Sequence, residues 1–202
     1  GFPAPKSRVL YDEESATKYL EQSTFPTIVK LRRGSASSNV FKVDSAAQGR
    51  KLIAKAFSSG FALYNVRNRY KDMYAKAGGV FSKGRILVQW AYRWLFPPAY
   101  SRQSAKEKGY LIFQQYIPND GDDVRVVVME DKAVALRRRV RKGDFRASGS
   151  GLLEFPNENL DKRYVQLAFD IKEALNVPAM GLDFIESTTG EIYVIEMSYG
   201  FP

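Results

Sequence analysis

Close to the end of the chain, the stretch MGLDFIESTTGEIYVIEMSYGFP (Met180 to Pro202) sets two apolar runs on either side of Thr188-Thr189-Gly190. Apolar runs flanking a short Gly-containing turn make a β-hairpin, so the chain must contain an antiparallel sheet to receive it. The same hairpin carries polar residues where strands of this kind have none. Asp183 lies inside the first run, and Glu196 and Ser198 close the second. Residues 196 and 198 are two apart, so on a regular strand they point to one face. A carboxylate on an otherwise apolar strand is unfavourable unless something pairs with it. One reading gives Asp183 and Glu196 arginine partners. The other gives them a hard, oxygen-liganded cation such as Mg2+, bridged to phosphates. The stretch by itself leaves both open.

Composition narrows the chemistry. The 202 residues include no His and no Cys. Imidazole zinc sites, His-based triads, thiol nucleophiles and disulfides are therefore excluded. Any reaction has to run on carboxylates, Lys, Arg, backbone amides and a cofactor. No run is long and apolar enough to span a bilayer, and no signal peptide is recognisable, so a cytoplasmic location is expected. The formal charge of +9 is concentrated rather than spread. Residues 60–109 hold ten Lys or Arg against Asp72 and Glu107, which places +8 in that segment. A polyanion or an acidic partner is the expected consequence.

In chain order, GFPAPKS reads as loop, and Asp12 to Leu20 as a short helix with acidic residues in its first turn. Phe25 to Leu31 reads as a strand containing Lys30. The small-residue loop RRGSASSN (Arg32 to Asn39) follows, then a strand at Val40 to Val43 and a helix capped by Ser45. A strand, a small-residue loop and a second strand can wrap a phosphate in backbone N–H groups, or form a plain solvated hairpin. No Walker motif is present. Residues 60–109 predict two helices, near 62–77 and 84–95, with both tryptophans (Trp90 and Trp94) among basic residues. Basic and aromatic residues together suit a nucleic-acid or lipid surface, though aromatics at 90 and 94 also share a helix face that could pack inward. Tyr110 to Ile117 reads as a strand stopped by Pro118. Val124 to Met129 and Ala133 to Val140 form a hairpin around Glu130-Asp131-Lys132. Arg137, Arg138, Arg139 and Arg141 put positive charge on both faces of its second strand. A helix from about Glu158 to Asn176, capped by Asn157, carries the apolar stripe Leu160, Tyr164, Ala168, Ile171 and Leu175.

Four stretches, FPTIVK with its small-residue loop, LIFQQYIPNDGDDVRVVVM, RRRVRKGDFRAS and GLDF…YVIEMS, occur in an order that resembles the ATP-grasp superfamily, its RimK-type and glutathione synthetase-like branch above all. The resemblance covers residue 1 to about 57 and residues 110–202. It implies an α+β fold in which two lobes with antiparallel sheets hold ATP between them, and a helical insertion is added to this. The lobes implied are 1–58 and 110–202, with 59–109 as the insertion and the whole an excerpt of a longer protein. Lys30 matches the strand lysine that meets the nucleotide phosphates, and Gly34, Ser35 and Ser37 belong to the loop closing over them. Gln115, Tyr116 and Ile117 match the strand that reads adenine, with Gln115 where many relatives have Glu. Asp123 matches the ribose-side acid, with Asp120 and Asp122 in competition. Asp183 and Glu196 match Mg2+ ligands, and Ser198 stands where relatives usually have Asn. Arg146 matches a residue near the γ-phosphate and the acceptor carboxylate, with Arg139 a further candidate on the same surface.

The resemblance implies a ligase that uses Mg2+ and ATP, with Mn2+ as an alternative ion. Such an enzyme joins a small-molecule or peptide carboxylate to an amine through an acylphosphate. Phosphoryl transfer to a hydroxyl is a second reading. A nucleotide-binding module whose 60–109 surface grips nucleic acid or another polyanion is a third.

Overall fold

The computed structural model describes residues 1–32, 39–62, 74, 79–96, 106–140, 153–155 and 160–199. Local chemistry starts each helix. Asp12 caps α1 (Glu13–Glu21) by accepting a hydrogen bond from the Ser15 N–H at 2.7 Å, and Glu13 and Glu14 face the positive end of its dipole. Ser45 caps α2 (Ala46–Phe57), while the Gln48 side chain accepts from the Asp44 N–H at 3.0 Å. Helix α3 runs Val80–Leu95. It begins four residues before the expected start, directly after Gly79, whose φ of 96° is a conformation that glycine adopts readily. The helix expected near 62–77 lies outside the described residues, as do the tail of the loop from residue 33 to 38 and Asn157. Helix α4 is Lys162–Ala174, later than expected because Asp161 supplies the cap, accepting from the Arg163 N–H at 2.9 Å. Its stripe buries Tyr164, Ala168 and Ile171, whereas Leu175 falls beyond the last turn and is exposed.

The strands form two sheets. The four-stranded sheet has the order β1 (Ser7–Leu10), β4 (Leu111–Gln115), β2 (Thr27–Lys30) and β3 (Val40–Val43). Strand β1 was hidden by the proline-rich GFPAPKS that leads into it. Its neighbourhood carries the first core, in which Leu10, Leu20, Val29, Val43, Ile53, Leu111 and Phe113 are buried together. Each such side chain contributes about 2 kcal/mol by leaving water.

The five-stranded sheet has the order β7 (Leu153–Glu154), β6 (Lys132–Arg138), β5 (Asp123–Met129), β8 (Ala179–Glu186) and β9 (Ile192–Ser198), every neighbouring pair being antiparallel. One face packs against α4. Val124, Val126 and Val128 alternate inward on β5, joined by Met180, Leu182 and Phe184 of β8 and by Ile192 and Val194 of β9. Period two then sends Asp123, Arg125 and Asp183 to the other face. That face is the charged one.

By density of contact the chain divides into two units. One comprises Gly1–Arg8, Phe25–Ile28 and Gln114–Pro202, and the other Val9–Thr24 and Val29–Phe113. The first holds the five-stranded sheet with α4, and the second holds the core around Leu20 and Phe113.

Candidate nucleotide and metal site

The hairpin β8–β9 places Asp183 directly opposite Glu196, and Gly181 opposite Ser198. An irregularity in the pairing is what makes this so. Phe184 pairs with Val194 and Asp183 with Glu196, so the register shifts by one residue at Ile195. Strict alternation along β9 would put Glu196 on the same face as the buried Val194. The extra residue reverses the parity, leaving Val194 in the core and turning Glu196 to the charged face with Asp183. Bulges of this kind often re-aim a side chain beside a functional site.

Asp183 is 4% exposed, and burial of a carboxylate requires partners. Arg125, its neighbour across β5, supplies two: Nε donates to Oδ1 at 2.7 Å and Nη2 to Oδ2 at 3.0 Å. Nη2 of Arg138 lies 2.7 Å from Oδ2. Arg138 also donates through Nε to Asp123 in a very short contact. The result is a chain of alternating charge, Arg125–Asp183–Arg138–Asp123, laid across three strands. Burial pushes the Asp123 carboxyl up to about 6, against the downward pull of its bond to Arg138. For Arg138 burial works to lower the pKa, but the Asp123 hydrogen bond and the Asp183 and Asp123 charges win and raise it. At neutral pH Asp123 and Arg138 are therefore both charged.

Of the two readings of Asp183, the arginine-paired one is thus present in the structure. Its donor set nonetheless accommodates a hard cation. Oδ2 faces two guanidinium nitrogens, while Oδ1 accepts one N–H and keeps a lone pair. Glu196 is exposed, and neither an ion pair nor a hydrogen bond engages its side chain among the described residues. Among those residues no cluster of three or more acidic side chains forms. Two carboxylates on facing strand positions, with the Ser198 hydroxyl diagonal to Asp183, are the oxygen donors at hand.

The other expected residues fall in separate places. Lys30 ends β2 and is half-buried. Gln115 ends β4, and its N–H donates to the Lys6 carbonyl at 2.8 Å. Tyr116 is half-buried and Ile117 buried, and the Ile117 carbonyl accepts from the Asn119 side chain at 2.6 Å. Asn119 in turn accepts from the Gly121 N–H at 2.7 Å, which fixes the turn leading into Asp123. Arg139 points away from Asp183. It bridges Asp122 at 2.7 Å and Glu154 at 3.0 Å on the exposed side of the sheet edge. Gly34, Ser35, Ser37 and Arg146 lie outside the described residues. Arg125 and Arg138 are the side chains that sequence reasoning missed. The available signal was parity: Arg125 stands two residues after Asp123 on a strand whose other interior residues are all valine.

The profile of the RimK-like ATP-grasp domain matches residues 100–199, the interval that holds β4 to β9 and every member of the charged network. Over those residues the chain is similar to the RimK-like ATP-grasp family. Solved structures extend the likeness over the rest of it. The ADP complex of N5-carboxyaminoimidazole ribonucleotide synthetase superposes with a TM-score of 0.58 at 13% identity, covering 98% of this chain and 41% of that one. A RimK-domain ATP-grasp protein from Sphaerobacter thermophilus gives 0.54 at 16% identity, covering 98% and 53%. The ATP-grasp ligase PsnB, solved with a minimal precursor, Mg and ADP, gives 0.50 at 14%, covering 100% and 46%. At these identities the likeness is one of fold. The chain spans about half the length of these proteins or less. No curated protein sequence matches it. Among the described residues, no helix is long and apolar enough to cross a membrane.

Proposed function

We propose that this chain is the ATP-binding part of a Mg-ATP-dependent carboxylate–amine ligase. The observation that carries the reading is the RimK-like match over residues 100–199, within which Asp183 and Glu196 face each other on a strand pair. In the reaction, a carboxylate oxygen attacks the γ-phosphorus of ATP and ADP leaves. The amine nitrogen then attacks the acyl carbon of the acylphosphate, and phosphate leaves with the former carboxylate oxygen. Neither step needs a His or Cys, in keeping with a chain that has neither.

Glu196, Asp183 through Oδ1 and Ser198 would hold Mg2+. A bound Mg2+ would neutralise charge on the phosphate oxygens. Lys30 and the loop with Gly34, Ser35 and Ser37 contact the phosphates. The backbone of Gln115, Tyr116 and Ile117 would meet the adenine, and Asp123, bonded to Arg138, would stand on the ribose side. Arg146 would act on the acceptor carboxylate and the transferring phosphoryl group, whereas Arg139 is engaged by Asp122 and Glu154. Charge stabilisation and positioning supply most of the acceleration in reactions of this kind. PsnB was also solved with a precursor peptide, which favours testing peptide carboxylates first.

The test is to incubate the protein with Mg-ATP and panels of carboxylates and amines. Nucleotide products are read by chromatography and coupled products by mass spectrometry. An amide formed one-for-one with ADP and phosphate supports the ligase. ADP with a phosphorylated hydroxyl and no amide would replace it by a phosphotransferase, and AMP would contradict both.

A further inference from the structure

Helix α3 is built inside out. Its half-buried residues are Ser82, Lys83, Ile86 and Gln89, which at 100° per residue share one side. The Lys83 ammonium sits 5.4 Å from the centre of the Tyr74 ring, on that inward side. The opposite side carries Phe81, Val88 and Leu95, which are 98%, 71% and 61% exposed, with Leu87 and Tyr92 on its flanks also exposed. No described side chain of α3 is buried. A surface helix ordinarily does the reverse, turning its apolar stripe to the core. An apolar face held outward on a stable helix marks an interaction surface.

Charge decides what covers it. Helix α3 has no acidic residue and carries exposed Arg85 and Arg93. The surrounding segment, 60–109, holds ten cations and two acids. A second copy of the chain would bring like charge against like charge, which opposes self-association. The partner is anionic and has an apolar interior. We propose that α3 lies flat on an anionic lipid surface, with Phe81, Val88 and Leu95 in the headgroup–acyl boundary and Arg85 among the headgroups. Aromatic and aliphatic side chains on one face with cations beside them form the pattern of an interfacial helix. Anionic headgroups attract juxtaposed Lys and Arg over a Debye length. At 16 residues the helix is too short to span the hydrocarbon core but long enough to lie in its plane.

The chain provides its own reporter. Both tryptophans of the chain, Trp90 and Trp94, are in α3, so their emission reads this helix alone. The experiment is co-sedimentation with phosphatidylglycerol–phosphatidylcholine vesicles and with phosphatidylcholine vesicles, at low and high salt, with tryptophan emission recorded in parallel. The expected result is binding to the anionic vesicles only, a blue-shifted emission, and weakening by added salt. The double variant Phe81→Glu/Val88→Glu alters exposed positions alone, and circular dichroism checks that it folds. It should bind anionic vesicles at least tenfold more weakly. Absence of vesicle binding by the wild type, or equal binding by the double variant, overturns the proposal. So does a dimer in sedimentation velocity that the double variant dissolves, which would make a second copy the occupant. Duplex DNA binding that outcompetes vesicles and ignores the double substitution would assign the charge to nucleic acid, and equally overturns it.

Discussion

Arg125 holds Asp183 by both carboxylate oxygens, at 2.7 and 3.0 Å, and does so from the strand position directly opposite. A guanidinium there is in competition with any dication that Asp183 would bind, because like charges about 4 Å apart repel by several kcal/mol at an effective dielectric of about 20. Arg125→Gln should therefore raise the affinity of the nucleotide-free protein for Mn2+ by about tenfold, read by electron paramagnetic resonance. Arg138 remains to satisfy Oδ2 in that variant. A fall in Mn2+ affinity would instead make Arg125 the group that orients Asp183 for the ion.

Asp123 gives the fold a pH signature. Its pKa rises from 3.8 to about 6 on folding, so between those values the folded state binds more protons than the unfolded one. Stability from this group is complete below pH 4 and is lost as pH rises through 6, with a slope of at most about 1.4 kcal/mol per pH unit. The carboxyls held low by hydrogen bonds, Asp12, Glu154 and Asp161, act with the opposite sign and at more acid pH. Urea unfolding of wild type and Asp123→Asn across pH 4 to 7 isolates the effect. The stability difference between the two proteins should shift with pH in that window and be flat above it. A flat difference throughout would show that Asp123 does not titrate there.

We propose Arg146 for the transferring phosphoryl group and not for the resting nucleotide. Arg146→Ala should lower turnover by about 10²–10³, the usual effect of losing one positioned donor, while leaving the ATP dissociation constant within a factor of about two. Parallel loss of binding and turnover would return Arg146 to the nucleotide phosphates.

Much of this was legible in the residues because it depended on short-range pattern. The final hairpin, the acidic first turn of α1 and the cap at Ser45 follow from alternation and local hydrogen bonding. What was hidden depended on parity and on partners distant in sequence. Among four arginines within residues 137–141, only pairing with Asp123 shows that Arg138 turns to Asp183 while Arg139 turns to Asp122 and Glu154. The register shift at Ile195 is likewise invisible to a period of two, yet it decides which face Glu196 takes. In α3, an apolar stripe at helical spacing would ordinarily mean core; only the fold shows it facing outward.

The most direct measurement is calorimetric titration of ATP into wild type and Glu196→Ala, each with and without Mg2+. Glu196 is exposed and aimed by the Ile195 irregularity at the face carrying Asp183, so its removal should leave the fold intact. The account predicts that Mg2+ tightens ATP binding to the wild type by at least tenfold and does so little or not at all in Glu196→Ala. Equal Mg2+ enhancement in both proteins would contradict it.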